Sequence, residues 1–124
     1  MSQTITILIT DDDATVVKLL KQKLTEFKYR IITASDGQEA VQQCLDNSPD
    51  LVLMDIKMPV LDGIKATSML REQGFKNPII MLTASESEDD RNDSRQAGCN
   101  GYVLKSGDLS KLGDVIDMTL LHFM

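Results

Sequence analysis

The segment PDLVLMD, residues 49–55, is a strand-length apolar run that ends on a carboxylate, Asp55. Its apolar positions follow one another almost without interruption, whereas a strand with one solvated face would alternate between apolar and polar residues. We therefore predict a strand buried on both faces, as in a parallel sheet covered by helices on each side. In such sheets ligands bind beyond the carboxyl ends of the strands, so Asp55 is a candidate site residue.

The rest of the chain alternates between strand-like and helix-like segments. Five such units in regular order predict an α/β fold with a doubly wound parallel sheet and helices on both faces. The other predicted strands are TITILIT (4–10), YRIITA (29–34), NPIIMLTA (77–84) and GYVLK (101–105). Apolar helical stripes are predicted at Val17, Leu20, Leu24 and Phe27, and at Ala40, Val41, Cys44 and Leu45.

Length and composition indicate a single globular domain spanning residues 1–124, with 42% hydrophobic residues. The net charge of -6 argues against a nucleic-acid surface, which would carry clustered Lys and Arg. No apolar run approaches the roughly 20 residues of a membrane span, and the N-terminus lacks the pattern of a signal peptide. We expect a cytoplasmic domain that contacts neither nucleic acid nor membrane directly. Cys44 and Cys99 have no metal-like or redox spacing and are expected to be reduced.

Five polar side chains follow four of the predicted strands, and the fold would bring them together. Each alone has a structural explanation, such as a helix cap or a solvated charge, but burying several carboxylates without partners would be strongly unfavourable. The set fits phosphoryl transfer to a carboxylate, with Asp55 as nucleophile and nearby acids holding Mg²⁺ or Mn²⁺. The five residues are Asp11, Asp12, Asp55, Thr83 and Lys105.

The residues that follow the first strand allow a second interpretation. Asp11, Asp13 and Thr15 spell D-x-D-x-T, the motif of haloacid-dehalogenase-like phosphatases, with Asp11 as nucleophile and Asp13 as acid/base. That class needs a cap or an extended core, for which 124 residues leave little room. Otherwise Asp13 is predicted to cap the first helix. A third alternative is an interaction module that kept the fold but lost phosphorylation.

Four segments carry a resemblance to a known family: ILITDDD, PDLVLMDIKMPVLDGI, PIIMLTA and AGCNGYVLK, in this order. Over essentially its full length the chain resembles the CheY-like receiver domain of response regulators in two-component and phosphorelay signalling. The resemblance implies a flavodoxin-like strand order 2-1-3-4-5. It implies self-phosphorylation and autodephosphorylation only, with no turnover of an external substrate. Whether the domain stands alone or belongs to a larger regulator or hybrid sensor kinase stays open.

The resemblance also implies roles for individual residues. Asp55 would accept a phosphoryl group from a sensor histidine kinase or a histidine phosphotransfer protein. Asp12, Asp55 and the backbone carbonyl of Lys57 would bind the metal directly, and Asp11 largely through water. Lys105 would supply a second positive charge.

A switch is implied as well. Thr83 would follow the phosphate, and Tyr102 would turn inward behind it, although a fixed surface aromatic is the alternative for Tyr102. The surface of the fourth helix, fifth strand and fifth helix would then shift and be read by an effector, with a homodimer through this surface as a further alternative. Gly63 is expected to permit a close backbone approach near the start of the third helix.

Three features depart from the family pattern. Ser106 follows Lys105 where the family usually has proline after a cis bond. Because a cis bond before a non-proline residue costs about 2.5–4 kcal/mol, we expect a bond that is trans, or that is cis only because the surrounding packing holds it. From Glu86 to Gln96 the fourth helix has no apolar residue, so we predict that it is short, displaced or mobile. The last helix has more apolar residues than one buried stripe needs, namely Leu120, Leu121, Phe123 and Met124.

Overall fold

The computed structural model describes residues 4–27, 29–107 and 109–123. Its five strands form one parallel sheet in the order β2-β1-β3-β4-β5, which confirms the predicted doubly wound α/β fold. The strands are β1 Thr6–Thr10, β2 Arg30–Ala34, β3 Leu51–Met54, β4 Ile79–Thr83 and β5 Gly101–Leu104. The helices are α1 Ala14–Thr25, α2 Gly37–Asn47, α3 Gly63–Glu72, α4 Glu88–Ala97 and α5 Leu112–Phe123, with a 3-10 turn at Leu109–Lys111 before α5.

The central strand β3 is buried on both faces, as its uninterrupted apolar run predicts. It pairs with β1 on one side and with β4 on the other. Leu51 and Leu53 belong to the core beneath α1 and α5, whereas Val52 and Met54 belong to the core beneath α2 and α3. This double burial fixes the position of the strand end that carries Asp55.

The predicted helical stripes are confirmed in part. Leu20 and Leu24 of α1 are buried, and so are the first three residues of the α2 stripe. Phe27 is 51% exposed and Leu45 is 46% exposed, so both lie outside the buried stripes. Phe27 follows the end of α1 and instead packs its ring on α5, where a Cβ at Gly113 would lie 3.2 Å from the ring.

Helix α4 is ten residues long, as is α3, so the expectation of a short fourth helix is wrong. Local capping explains its formation, since only Ser94 of α4 is buried. The Ser87 side chain accepts a hydrogen bond from the Asp90 N–H at 3.2 Å. The acidic side chains of the first turn also stabilise the helix, because they lie at the positive end of its dipole. Gly98 ends the helix with φ 109°, a conformation that L side chains rarely adopt. Displacement or mobility of α4 stays a prediction.

The last helix keeps apolar residues outside the core, as predicted. Leu120 is buried, but Leu121 is 76% exposed and Phe123 is 45% exposed. Met124 lies outside the described residues. Both cysteines are free thiols. Among the described residues, no helix combines the length and the apolar character required to cross a membrane.

Candidate functional site

The carboxyl ends of the strands place the predicted polar residues at one edge of the sheet. Asp11 follows β1 directly, Asp55 follows β3, Lys105 follows β5, and Thr83 is the last residue of β4. Hydrogen bonds continue past the strand ends, because the Asp55 N–H donates to the Thr10 carbonyl at 3.0 Å and the Lys105 N–H donates to the Thr83 carbonyl at 2.8 Å. The backbone of the site is therefore held by the sheet itself.

Three carboxylates meet at this edge. Oxygen atoms of Asp11, Asp12 and Asp55 lie within 4.8 Å of one another. Asp11 is 3% exposed and Asp55 is 7% exposed, whereas Asp12 is exposed to solvent. Burial raises the pKa of Asp11 above its ordinary value, although Lys105 and the Asp13 N–H act in the opposite direction. Such a buried cluster of negative charge requires a cation nearby.

Lys105 supplies that positive charge. Its Nζ lies 2.5 Å from Asp11 Oδ2 and 3.0 Å from Asp55 Oδ2, so one ammonium group bridges two carboxylates. Burial acts to lower the pKa of Lys105, but the two carboxylates outweigh burial and leave the pKa above its ordinary value. The Lys105–Ser106 peptide bond is trans, as are the other peptide bonds of the described residues, so the first of the two alternatives for this departure from the family pattern is confirmed.

Asp55 is oriented by its own backbone surroundings. Its Oδ1 accepts the Ile56 N–H at 2.8 Å, which leaves Oδ2 for Lys105. Gly63, at the start of α3, packs directly on the Asp55 carbonyl, and a Cβ at Gly63 would lie 1.8 Å from that oxygen. The expected close approach at Gly63 is confirmed, and it is what allows α3 to begin beside the site.

Asp13 does not join the cluster. Its side chain accepts the Thr15 N–H at 2.9 Å and the Val16 N–H at 3.4 Å, which makes it the N-cap of α1, as predicted. Its own N–H donates to Asp11 Oδ1 at 2.9 Å. The side chain that the phosphatase interpretation needs as acid/base is therefore bound to the helix start.

Thr83 and Tyr102 are connected through Ser85. Thr83 is buried, and its Oγ1 accepts the Ser85 N–H at 3.2 Å. The Tyr102 hydroxyl donates to the Ser85 carbonyl at 2.9 Å. The Ser85 hydroxyl donates to Asp90 Oδ2 in α4 at 2.6 Å. This contact of Asp90 is not predictable from the sequence, because one position among several acids of a polar helix carries no distinguishing signal.

The acidic cluster fits a divalent cation. Three carboxylates within 4.8 Å offer only oxygen ligands, which is the donor set that Mg²⁺ prefers. The Lys105 ammonium already provides one positive charge between Asp11 and Asp55. The Lys57 side chain is exposed, and the role of its backbone carbonyl stays a prediction.

Solvent reaches the acids through a cavity of about 380 Å³ between α1 and the start of α2. Asp11 and Asp12 form one wall, and Lys18 and Lys21 of α1 lie along another. The Asp11 and Asp12 side of the cluster is therefore open to a charged reactant.

Comparisons with known proteins agree with this geometry. Residues 7–117 match the family model of the response regulator receiver domain. The chain is 40% identical over 99 residues to the alkaline phosphatase synthesis transcriptional regulatory protein PhoP of Bacillus subtilis; the match covers 80% of this chain and 41% of PhoP. The matched region thus spans less than half the length of PhoP.

Solved structures match over nearly the whole chain. The Francisella response regulator 1452 receiver domain superposes with TM-score 0.90 at 27% identity, covering 98% of this chain and 100% of that one. CheY of the CheX–CheY–BeF3–Mg complex from Borrelia burgdorferi superposes with TM-score 0.85 at 32% identity, covering 92% of this chain and 87% of that one.

The family match overturns the phosphatase alternative, because it covers the strand ends of Asp11 and Asp55 in a single receiver pattern. The acidic cluster is a magnesium-type site, in line with the relative whose structure contains Mg²⁺. Receiver domains have histidine kinases and effectors as partners. The chain belongs to the response regulator receiver domains, the phosphoacceptor modules of two-component signalling, which are not turnover enzymes.

Proposed function

We propose that Asp55 is the phosphoacceptor and that it receives its phosphoryl group from a phosphohistidine of a sensor histidine kinase or a histidine phosphotransfer protein. The observation that carries the proposal is the ammonium of Lys105, 3.0 Å from Asp55, beside the cluster of Asp11 and Asp12. An oxygen of Asp55 forms the new O–P bond while the P–N bond of the donor breaks. The electron pair of the broken bond stays on the imidazole of the donor.

The other residues of the site would lower the charge barrier to this step. Mg²⁺ or Mn²⁺, bound by Asp12, Asp55 and the Lys57 carbonyl, with Asp11 acting through water, would neutralise negative charge on the phosphoryl oxygens. Lys105 would pair with a phosphoryl oxygen once Asp55 is phosphorylated.

Thr83 and Tyr102 would transmit the phosphorylation state. The Thr83 hydroxyl accepts the Ser85 N–H, and its own proton is available to a phosphoryl oxygen. A shift of Thr83 would move Ser85, to which Tyr102 is hydrogen-bonded. The surface of α4, β5 and α5 would change with it and be read by an effector protein or domain. A homodimer through this surface is the alternative use.

We further propose that residues 1–124 form one receiver domain that acts in the cytoplasm, either alone or within a larger regulator or hybrid sensor kinase. Its net charge of -6 favours protein partners over direct nucleic-acid binding. Any effect on transcription would pass through another domain or protein.

Labelling with radioactive acetyl phosphate tests the proposal. The protein should take up base-labile label with Mg²⁺ present, and little label with EDTA or in the Asp55→Asn variant. Full labelling of Asp55→Asn would reject Asp55 as acceptor. No label at all in the unaltered protein would favour an interaction module that lost phosphorylation.

A further inference from the structure

A second cavity lies on the side of the sheet edge formed by α4 and β5. Its volume is about 250 Å³, and it is separate from the acidic cluster. It combines two guanidinium groups, a phenol ring and the backbone of the turn between α4 and β5. The lining residues are Arg91, Arg95, Cys99, Asn100, Gly101 and Tyr102.

The cavity concentrates positive charge in an acidic protein. Arg91 and Arg95 are exposed, lie one helical turn apart and repel each other, a local cost that an anion would remove. Neither arginine forms an ion pair with any residue in the described ranges. By helical periodicity Asp89 and Asp93 lie on the opposite flank of α4, whereas Glu88, three residues before Arg91, lies on the same flank as the two arginines. The two arginines exceed the one acid on their flank, so positive charge is left for a ligand.

One wall of the cavity is held rigidly by Arg71. Its guanidinium donates to the Gly98 carbonyl at 3.0 Å and to Asn100 Oδ1 at 2.8 Å. The same Asn100 oxygen accepts the Ile79 N–H at 2.9 Å, which joins the turn to β4. A ligand would meet a turn that is already ordered, so little entropy is lost on binding.

The other wall connects the cavity to the phosphoacceptor site. The guanidinium carbon of Arg91 lies 4.6 Å from the centroid of the Tyr102 ring, a cation–π contact. The Tyr102 hydroxyl binds the Ser85 carbonyl, and Ser85 binds Thr83. A movement of Tyr102 would therefore displace Arg91 from its present position.

We infer that this cavity binds an aspartate or glutamate side chain from an acidic segment of the effector protein. Arginine pairs with a carboxylate through two parallel hydrogen bonds, and the two guanidinium groups give the cavity the complementary charge. The inference rests on the proposed function for its effector, and it adds the chemistry by which that effector is recognised. Phosphorylation would change the affinity because Arg91 stacks on Tyr102.

Peptide selection tests this inference. A library of random displayed peptides is selected on the unaltered protein, and the enriched peptides are synthesised with a fluorescent label. We expect enriched sequences rich in Asp and Glu, whose affinity falls at least tenfold in Arg91→Gln/Arg95→Gln. Arg30→Gln/Lys65→Gln removes the same charge from exposed positions elsewhere, and it should retain the affinity.

Several outcomes would overturn the inference. These are the absence of enrichment, enriched peptides without acidic residues, an equal loss of affinity in the Arg30→Gln/Lys65→Gln control, or a dimer of the unaltered protein that the Arg91→Gln/Arg95→Gln substitutions dissociate. Labelling of Asp55 in the unaltered protein is measured separately. If labelling fails while acidic peptides still bind through the arginines, the proposed function fails and the recognition chemistry stands.

Discussion

The ammonium nitrogen of Lys105 lies 3.0 Å from Oδ2 of Asp55. Because the same nitrogen also contacts Asp11, the lysine satisfies two of the carboxylates that a divalent cation would need. A metal bound to Asp55 would therefore compete with the lysine for a carboxylate of this site until Asp55 is phosphorylated. This competition leads to two opposite effects of a single substitution.

Lys105→Gln should bind Mg²⁺ more tightly than the unaltered protein, by roughly tenfold, because no ammonium opposes the metal. The same variant should be phosphorylated by acetyl phosphate roughly 100-fold more slowly, because a positive charge that stabilises the transition state is lost. Calorimetric titration gives the affinity, and label uptake gives the rate. Lys65→Gln, exposed on α3, is the control. Weaker Mg²⁺ binding by Lys105→Gln would contradict the competition.

Mg²⁺ should stabilise the native protein, because the three carboxylates come together only on folding. At 100 times the dissociation constant, the gain in unfolding free energy is about 2.7 kcal/mol. Asp12→Asn should lose most of this gain. Asp13→Asn should keep it, since Asp13 caps α1 and asparagine is an equally good cap. Thermal unfolding with and without Mg²⁺ measures the effect, and a melting temperature unaffected by Mg²⁺ would argue against an intact site.

Val60 holds backbone strain in the loop after Asp55. Its φ is 69°, and the Leu61 N–H donates to the Pro59 carbonyl at 2.7 Å, as in a γ-turn that β-branched residues adopt poorly. The Val60 side chain is 75% exposed, so its replacement removes little packing. Val60→Asn should raise the unfolding free energy by about 1 kcal/mol.

Urea unfolding measures the change at Val60. Val60→Ala is the matched control, because it shortens the side chain but keeps a Cβ in the strained conformation. The unfolding free energy of the alanine variant should rise less than that of the asparagine variant. Equal stability of the two variants would mean that the backbone conformation is not the cause.

Tyr29 should ionise at unusually high pH. Burial and the hydrogen bond of its hydroxyl to Asp117 raise its pKa from 10.0 to about 12. The folded state therefore holds this proton more tightly than the unfolded state does. Its contribution to stability is complete below pH 10.0 and is lost as the pH rises toward about 12.

Ultraviolet absorbance of the phenolate measures this ionisation. In Tyr102→Phe, Tyr29 is the only tyrosine, because the chain has two. Adding Asp117→Asn to this variant should lower the pH at the midpoint of Tyr29 ionisation. An ordinary midpoint near 10.0 in the single variant would show that the contact to Asp117 does not hold in solution.

The sequence allowed prediction of the site because its residues stand at strand ends. Once the β-α alternation is recognised, Asp11, Asp55 and Lys105 must meet at one edge of the sheet. The cap role of Asp13 follows from its place before a helix. These positions depend on chain direction and topology, which the hydrophobic pattern determines.

Other features depend on contacts that no local pattern encodes. The fourth helix has no apolar face, yet Ser87 and Gly98 cap it at both ends. Phe27 is exposed because α1 ends before it. The hydrogen bond from Ser85 to Asp90 depends on the path of the loop that precedes α4. Capping and loop geometry act through single hydrogen bonds, which hydrophobic periodicity does not report.

Mapping of the phosphorylated residue tests the central claim most directly. The protein is treated with acetyl phosphate and Mg²⁺ and then with borohydride, which reduces an aspartyl phosphate to homoserine. Peptide mass spectrometry should find homoserine at position 55 and aspartate at positions 11, 12 and 13. Homoserine at position 11 with intact Asp55 would contradict the account.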